Sequence, residues 1–228
     1  MSERPSVEYA RQLMFRMTGD EKHAVAAEST FDVLWVLYTR VLRPVRSEVS
    51  GIDRFYLSKG HGPMAYYAVL AALGEVELTD VLQFGAFNGR LGHHPDGELV
   101  PGIHISSGSL GHGPGLAAGT ALAWRSQGAL RNRVFVLVGD GELDEGSTWE
   151  AIAAIGRLEL SSIHVVVIDN GSASLGWPGG LMGRFVSEGW SSSEADSADH
   201  AAIERCLTRN SGRPSVTVIR HRSSRGDT

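Results

Sequence analysis

Three short stretches of the chain read as strands, the first an unbroken apolar run and the second interrupted only by His164. Residues 134–138 read Val-Phe-Val-Leu-Val, residues 163–168 read Ile-His-Val-Val-Val-Ile, and residues 215–219 read Ser-Val-Thr-Val-Ile. Runs of this length, rich in β-branched residues, predict parallel strands buried on both faces. Helical spacing marks other stretches. Residues 7–43 are predicted to be mostly helical, with Phe31, Leu34, Trp35, Tyr38 and Leu42 at helical intervals. Residues 63–73 predict a helix opened by Pro63 in its first turn and closed by Gly74. Residues 115–124 predict a helix of small residues suited to close packing. Residues 147–160 predict another, with Ser147 and Glu150 at capping-box spacing and Ile152, Ile155 and Leu158 forming its apolar stripe. Residues 191–199 are polar and read as a surface loop.

A strand, a helix and a second strand make a right-handed crossover unit. The predicted fold class is therefore α/β, an open, mostly parallel sheet flanked by helices, with residues 1–228 forming a single domain. Sheets of this kind bind ligands beyond the carboxyl ends of their strands. The first two predicted strands end there in Gly139-Asp140-Gly141 and Asp169-Asn170-Gly171.

Composition narrows the function classes. With 228 residues the chain can bury one sizeable core. A net charge of -5 removes the electrostatic case for nucleic acid or an anionic membrane. No apolar run approaches the roughly 20 residues that span a bilayer. The first five residues show no signal-peptide pattern, so a cytoplasmic protein is expected. Cys206 is the single cysteine, which excludes an internal disulfide and a cysteine metal cluster. The 28 glycines cluster in short groups, as in tight loops where backbone approaches a ligand.

The chemistry concentrates at the two strand ends. The Asp140 carboxylate and the Asn170 carboxamide, one crossover apart, offer two hard oxygen ligands to one crevice. Mg²⁺ favours such ligands and commonly shares them with phosphate. Each loop alone could be a simple turn; together they favour a metal site.

These residues carry a resemblance. GDGELDEG (139–146), WEA (149–151) and IDNGSASLG (168–176) resemble the thiamine diphosphate motif that begins Gly-Asp-Gly and closes near an asparagine. Residues 53–70 (DRFYLSKGHGPMAYYAVL), 92–119 (GHHPDGELVPGIHISSGSLGHGPGLAAG) and 185–190 (FVSEGW) are similar, in this order, to blocks of transketolase N-terminal domains. The resemblance spans residues 54–219. It implies that Asp140 and Asn170 bind Mg²⁺ or Ca²⁺ together with the backbone carbonyl of Ser172. It implies that Gly139, Gly141 and Glu142 flank the diphosphate, that Gly108, Ser109 and Leu110 lie against the cofactor, and that His61 sits near diphosphate and substrate. His94, with His93 as the alternative, matches a substrate-contacting histidine. His112 stands where the family often has glutamine, and Glu145 matches an acidic residue between paired active sites. A ketol transfer needs proton traffic, which histidine suits. His23, His104, His164, His200 and His221 are expected to be structural or on the surface.

The chain departs from the pattern in places. Aligned on Val33-Leu34-Trp35, Asp20 stands where the family has a substrate histidine, with His23 out of register. Ser172 and Ser174 stand where larger apolar residues touch the thiazolium, leaving Leu175 or Leu181 for that contact. A full transketolase has three domains, and the domain absent here carries the glutamate that activates the cofactor. The chain is therefore expected to be one half of a split enzyme with a separate C-terminal transketolase subunit, as an α₂β₂ heterotetramer, or else a fragment. Residues 116–124 and 143–149 are expected to supply an apolar contact. The resemblance implies transfer of a two-carbon ketol unit from a ketose phosphate to an aldehyde. The alternatives are another thiamine diphosphate enzyme, a 2-oxoacid dehydrogenase component or a deoxyxylulose-phosphate-synthase-like ligase, and a non-catalytic scaffold.

Overall fold

The computed structural model describes residues 5–17, 21–43, 51–175 and 179–221; Asp20 and the two chain ends lie outside them. In chain order the helices are α1 (Val7–Arg16), α2 (Glu21–Val36), α3 (Pro63–Ala72), α4 (Leu78–Leu82), α5 (His112–Ser126), α6 (Gly146–Arg157), α7 (Gly180–Ser187) and α8 (His200–Thr208). The strands are β1 (Asp53–Leu57), β2 (Arg133–Gly139), β3 (Ile163–Asp169), β4 (Ser191–Asp196) and β5 (Ser215–Arg220). All five pair in parallel, in the order β1-β2-β3-β5-β4.

Alternation along each strand divides the core into two layers. Phe55, Leu57, Phe135, Leu137, Val166, Ile168 and Ile219 face one side and pack with residues of α1, α2, α3 and α8, among them Leu13, Phe31, Tyr67 and Ile203. Tyr56, Val136, Val138, Val165, Val167 and Val218 face the other and pack with Ala117, Ile152, Ile155 and Phe185 of α5, α6 and α7. Each fully buried apolar side chain contributes roughly 1.5–3 kcal/mol relative to exposure, so strands covered on both faces are apolar throughout, as β2 and β3 are. Among the described residues, no helix is long and apolar enough to cross a membrane.

Three expectations need correction. Residues 191–199 do not form a loop: residues 191–196 are β4, in register with β5 from Ser191↔Ser215 to Asp196↔Arg220. An edge strand is open to solvent on one side and needs little apolar content, and its polar surface protects the edge from further pairing. The region 7–43 is mostly helical, as expected, in two helices, and α2 runs into a π-helical turn at Leu37–Val41. There the Thr39 hydroxyl donates to the Trp35 carbonyl at 2.6 Å, competing for the backbone acceptor and loosening the turn. The capping box at Ser147 does not form; α6 starts at Gly146, and its N-cap, Glu145, makes no side-chain cap bond. Leu158 is the C-cap of α6 and is exposed rather than part of the stripe. The fifth strand, β1, lay unnoticed just before the Ser58-Lys59-Gly60-His61-Gly62 turn.

That turn is locked by close backbone approach. Gly62 has φ +86°, and a Cβ there would lie 2.7 Å from backbone atoms of Ala26 and Ala27 in α2. Replacing Gly62 with alanine should destabilise the fold by roughly 3 kcal/mol, combining left-handed strain with a backbone clash. The shift in urea midpoint at constant slope measures this.

Candidate active site at the strand tips

The carboxyl ends of β1, β2 and β3 meet under α2. Asp140, immediately after β2, is 1% exposed. Its Oδ1 accepts from the Gly141 amide at 2.9 Å and from the Ser172 hydroxyl. Its Oδ2 accepts from the Ser172 amide at 2.8 Å and the Ala173 amide at 3.2 Å. The loop after β3 is thus suspended from a carboxylate after β2. A second pin is Asp144, whose Oδ2 accepts from the Ser174 amide and hydroxyl, both at 2.8 Å, and from the Leu175 amide at 3.3 Å. These bonds hold the Asp144 pKa below its ordinary value.

Asn170 opens the loop after β3. Its Nδ2 donates to Ser29 Oγ at 3.4 Å, while its Oδ1 is buried without a hydrogen-bond partner. A buried, unsatisfied oxygen costs about 1–3 kcal/mol and is tolerated where a ligand completes it. The Asp140 carboxylate, Asn170 Oδ1 and the nearby Ser172 carbonyl form a set of hard oxygen donors that fits a divalent cation. No group of three His, Cys, Asp or Glu side chains among the described residues offers another metal site.

Two buried ionisable groups flank this set. Lys59 Nζ donates to Thr30 Oγ1 at 3.1 Å, Ser29 Oγ at 3.3 Å and the Ala26 carbonyl at 3.3 Å. Burial draws its pKa down to about 8, against the opposing pull of Asp140 and Glu142. Glu142 Oε1 accepts from the Ser58 hydroxyl and from the Gly111 amide at 2.8 Å, and Oε2 has no partner. Burial pushes the Glu142 pKa up. Its carboxyl therefore serves the N-terminus of α5, where the helix dipole favours negative charge. Ser58 joins the same junction by accepting from the Gly113 amide at 3.0 Å.

Glycines bring the histidines together. A Cβ on Gly60 would lie 3.0 Å from the Gly108 carbonyl, and one on Gly108 would lie 3.3 Å from His94 Cδ2. The backbones touch, and the His61 and His94 rings come to 6.3 Å between centroids. His93 turns away to stack edge-on against Phe84 at 5.1 Å. His94, not His93, therefore shares space with His61. Burial lowers the His94 pKa, and its electrostatic interactions with His61 and His93 lower it further. His112 opens α5, with Nε2 3.5 Å from Ser109 Oγ. Both line a cavity of about 200 Å³ with Ser58, Ser107, Gly113 and Leu116.

The remaining sequence candidates lie further out. Glu145 is exposed at the start of α6, and Leu175 is exposed, whereas Leu181 is partly buried against the core. Exposure differs along the two segments expected to supply an apolar contact. Leu116 and Leu122 of α5 are exposed, but Leu143 and Trp149 are 0% and 8% exposed. Trp149 lies under Arg184 and beside Phe185, so its ring belongs to the core, while Glu145, Gly146 and Ser147 of the same segment are exposed. His104 accepts from the Phe55 amide, and His164 stacks on Phe135 and bonds Ser215. His200 pairs with Asp32, and His221 bonds Ser197, so these four histidines serve the frame. Ser29, Ser58, Lys59 and Asp144 were not foreseen. Lys59 had a signal, being polar between Ser58 and Gly60 at a strand end; Ser29 had none.

A family model described as transketolase, thiamine diphosphate binding domain, matches residues 6–226. The chain is 48% identical over 211 residues to a Rhodococcoides fascians protein named Ferredoxin fas2, covering 91% of this chain and 69% of that protein. It is 40% identical over 145 residues to one subunit of the apulose-4-phosphate transketolase of Phocaeicola vulgatus, covering 62% of this chain and half, 50%, of that one. The fold is similar to transketolase from Leishmania mexicana, with a TM-score of 0.75 at 24% identity, over 96% of this chain and 37% of that one.

Proposed function

Because the chain belongs to the family of transketolase thiamine diphosphate-binding domains, we propose that it is the diphosphate-binding subunit of a split transketolase-like enzyme. It would transfer a two-carbon ketol unit from a ketose phosphate to an aldehyde, in an α₂β₂ complex with a separate C-terminal subunit. Relatives named as individual subunits of an apulose-4-phosphate transketolase support the split arrangement. The observation that carries the reading is the unpartnered Asn170 Oδ1 beside the buried Asp140 carboxylate, on adjacent strand tips.

When bound, thiamine diphosphate supplies the electron sink for cleaving a carbon–carbon bond beside a carbonyl. The chain's own residues do the rest. Asp140, Asn170 Oδ1 and the Ser172 carbonyl would hold Mg²⁺ or Ca²⁺. The Asp140 carboxylate already accepts four hydrogen bonds, so a cation would replace one donor. The Ser172 hydroxyl would be the one to yield, since it can rotate and the three amides cannot. Gly139, Gly141 and Glu142 would flank the diphosphate through backbone, the Glu142 carboxyl being committed to α5. Gly108, Ser109 and Leu110 would lie along the cofactor, and Leu175 near its thiazolium. His61, His94 and His112 would hold and move protons on substrate hydroxyls. Glu145, exposed at the start of α6, would face the paired active site.

Calorimetric titration with thiamine diphosphate, with and without Mg²⁺, tests this on the chain assembled with its partner. Saturable, Mg²⁺-dependent binding is expected, together with ketol transfer that the chain alone does not perform. Absence of binding by the assembled complex would leave only a scaffold; full turnover by the lone chain would refute the split arrangement.

A further inference from the structure

We propose that Ser29, assisted by Lys59, is a positioning residue that fixes which end of the Asn170 carboxamide faces the cation. The inference rests on the reading of Asn170 as a metal ligand. A carboxamide has two ends of nearly equal shape, and only its oxygen can bind a cation; the NH₂ group would repel it. Something in the protein must select between the two.

The selection follows from counting protons around one hydroxyl. Ser29 Oγ has one hydrogen and two lone pairs. Three groups surround it: the Ala26 carbonyl at 3.0 Å, Lys59 Nζ at 3.3 Å and the Asn170 carboxamide at 3.4 Å. The carbonyl can only accept, so the hydrogen points there. The ammonium can only donate, so it takes one lone pair. The lobe left for Asn170 is then the second lone pair, and Asn170 has to meet it with its NH₂. Were the hydroxyl to turn its hydrogen toward Asn170, a lone pair would face the Ala26 carbonyl oxygen in a buried place, which is repulsive. Thr30 cannot relieve this, because its hydroxyl also donates to the Ala26 carbonyl, at 2.7 Å. Lys59 reinforces the arrangement from the other side: three donors on its ammonium find Ala26, Ser29 and Thr30, and all three are acceptors toward it.

The consequence is seen at the far end of the same side chain. With NH₂ held by Ser29, Oδ1 is turned to the side where no protein group bonds it. The bond to Ser29 is the one hydrogen bond of the Asn170 side chain among the described residues. Ser29 and Lys59 lie on α2 and at the tip of β1, elements that contribute no oxygen to the cation set. Their effect on the cation is therefore indirect, through the orientation of a ligand, as for groups that hold a metal's ligands from behind.

The test uses Mn²⁺, a hard divalent probe for oxygen ligands, titrated with thiamine diphosphate present and followed by the resonance signal of the free ion. The protein is the full chain assembled with its partner. Ser29→Ala should raise the Mn²⁺ dissociation constant about tenfold, the effect typical of losing a group behind a ligand. Ser29→Thr, which keeps the hydroxyl, should bind Mn²⁺ within about twofold of the original protein. Thermal unfolding of the metal-free variants reports whether each is folded. Ser29→Ala binding as tightly as the original protein overturns the inference alone. An equal loss in a folded Ser29→Thr also overturns it, since the hydroxyl would then not be the cause. A wild-type complex that takes up no Mn²⁺ overturns the cation reading itself, and this inference with it.

Discussion

Replacing Asp140 with alanine is expected to abolish cation-dependent binding of thiamine diphosphate by the assembled complex, with a loss of at least about 100-fold in affinity, beyond that usual for a group behind a metal ligand. Two effects add. The cation set loses its one carboxylate, leaving two neutral oxygens, which hold a hard divalent ion weakly. The loop after β3 also loses the acceptor for the Ser172 and Ala173 amides, so the Ser172 carbonyl is no longer fixed. Asp144 still holds the next residues, Ser174 and Leu175, so the fold itself should survive. Asp140→Asn separates charge from shape. It keeps the size of the side chain but turns an NH₂ toward one set of donors, so one edge is repelled and the negative charge is gone. Both variants should fail in calorimetry with Mg²⁺, and retained affinity in either would remove the cation from this crevice.

The fold and site were legible in the sequence to different depths. β2, β3 and β5 announced themselves because strands covered on both faces must be apolar throughout. β4 did not, because Ser191, Ser192 and Ser193 occupy an edge where backbone pairing, not side-chain burial, makes the strand. Leu143 and Trp149 read as surface because a motif gives no depth; packing by Phe185 and Arg184, from a helix far along the chain, buries them. Asp140 and Asn170 were visible as polar residues at strand ends. The groups that orient them were not. Ser29 lies 141 positions from Asn170, in a helix whose several polar residues point to no particular loop, and only tertiary structure brings them within reach. Likewise Glu142 sat inside a recognisable motif, yet its carboxyl accepts from the Gly111 amide at the start of α5, a partner that sequence order conceals.

Replacing His61 with alanine should reduce turnover about 100- to 1,000-fold, within the range for loss of a positioned proton-transfer group, while changing the affinity for thiamine diphosphate less than about threefold. The asymmetry follows from where the residue sits. Its backbone is held by the contact of Gly60 with Gly108 and of Gly62 with α2, so removing the ring leaves the loop in place. The proposed cation and diphosphate contacts belong to the loops after other strands. A second readout separates proton traffic from simple packing. His94 has its pKa lowered by burial first and by the His61 charge second. Without His61 the second influence vanishes, and the His94 pKa should rise part of the way toward its ordinary value. If His94 acts as the neutral acceptor, activity falls as pH drops through its pKa. The acid limb of the residual rate profile should therefore move to higher pH in His61→Ala. A variant with lowered turnover but an unmoved acid limb would disconnect the two histidines, and one with unchanged turnover would remove His61 from the chemistry.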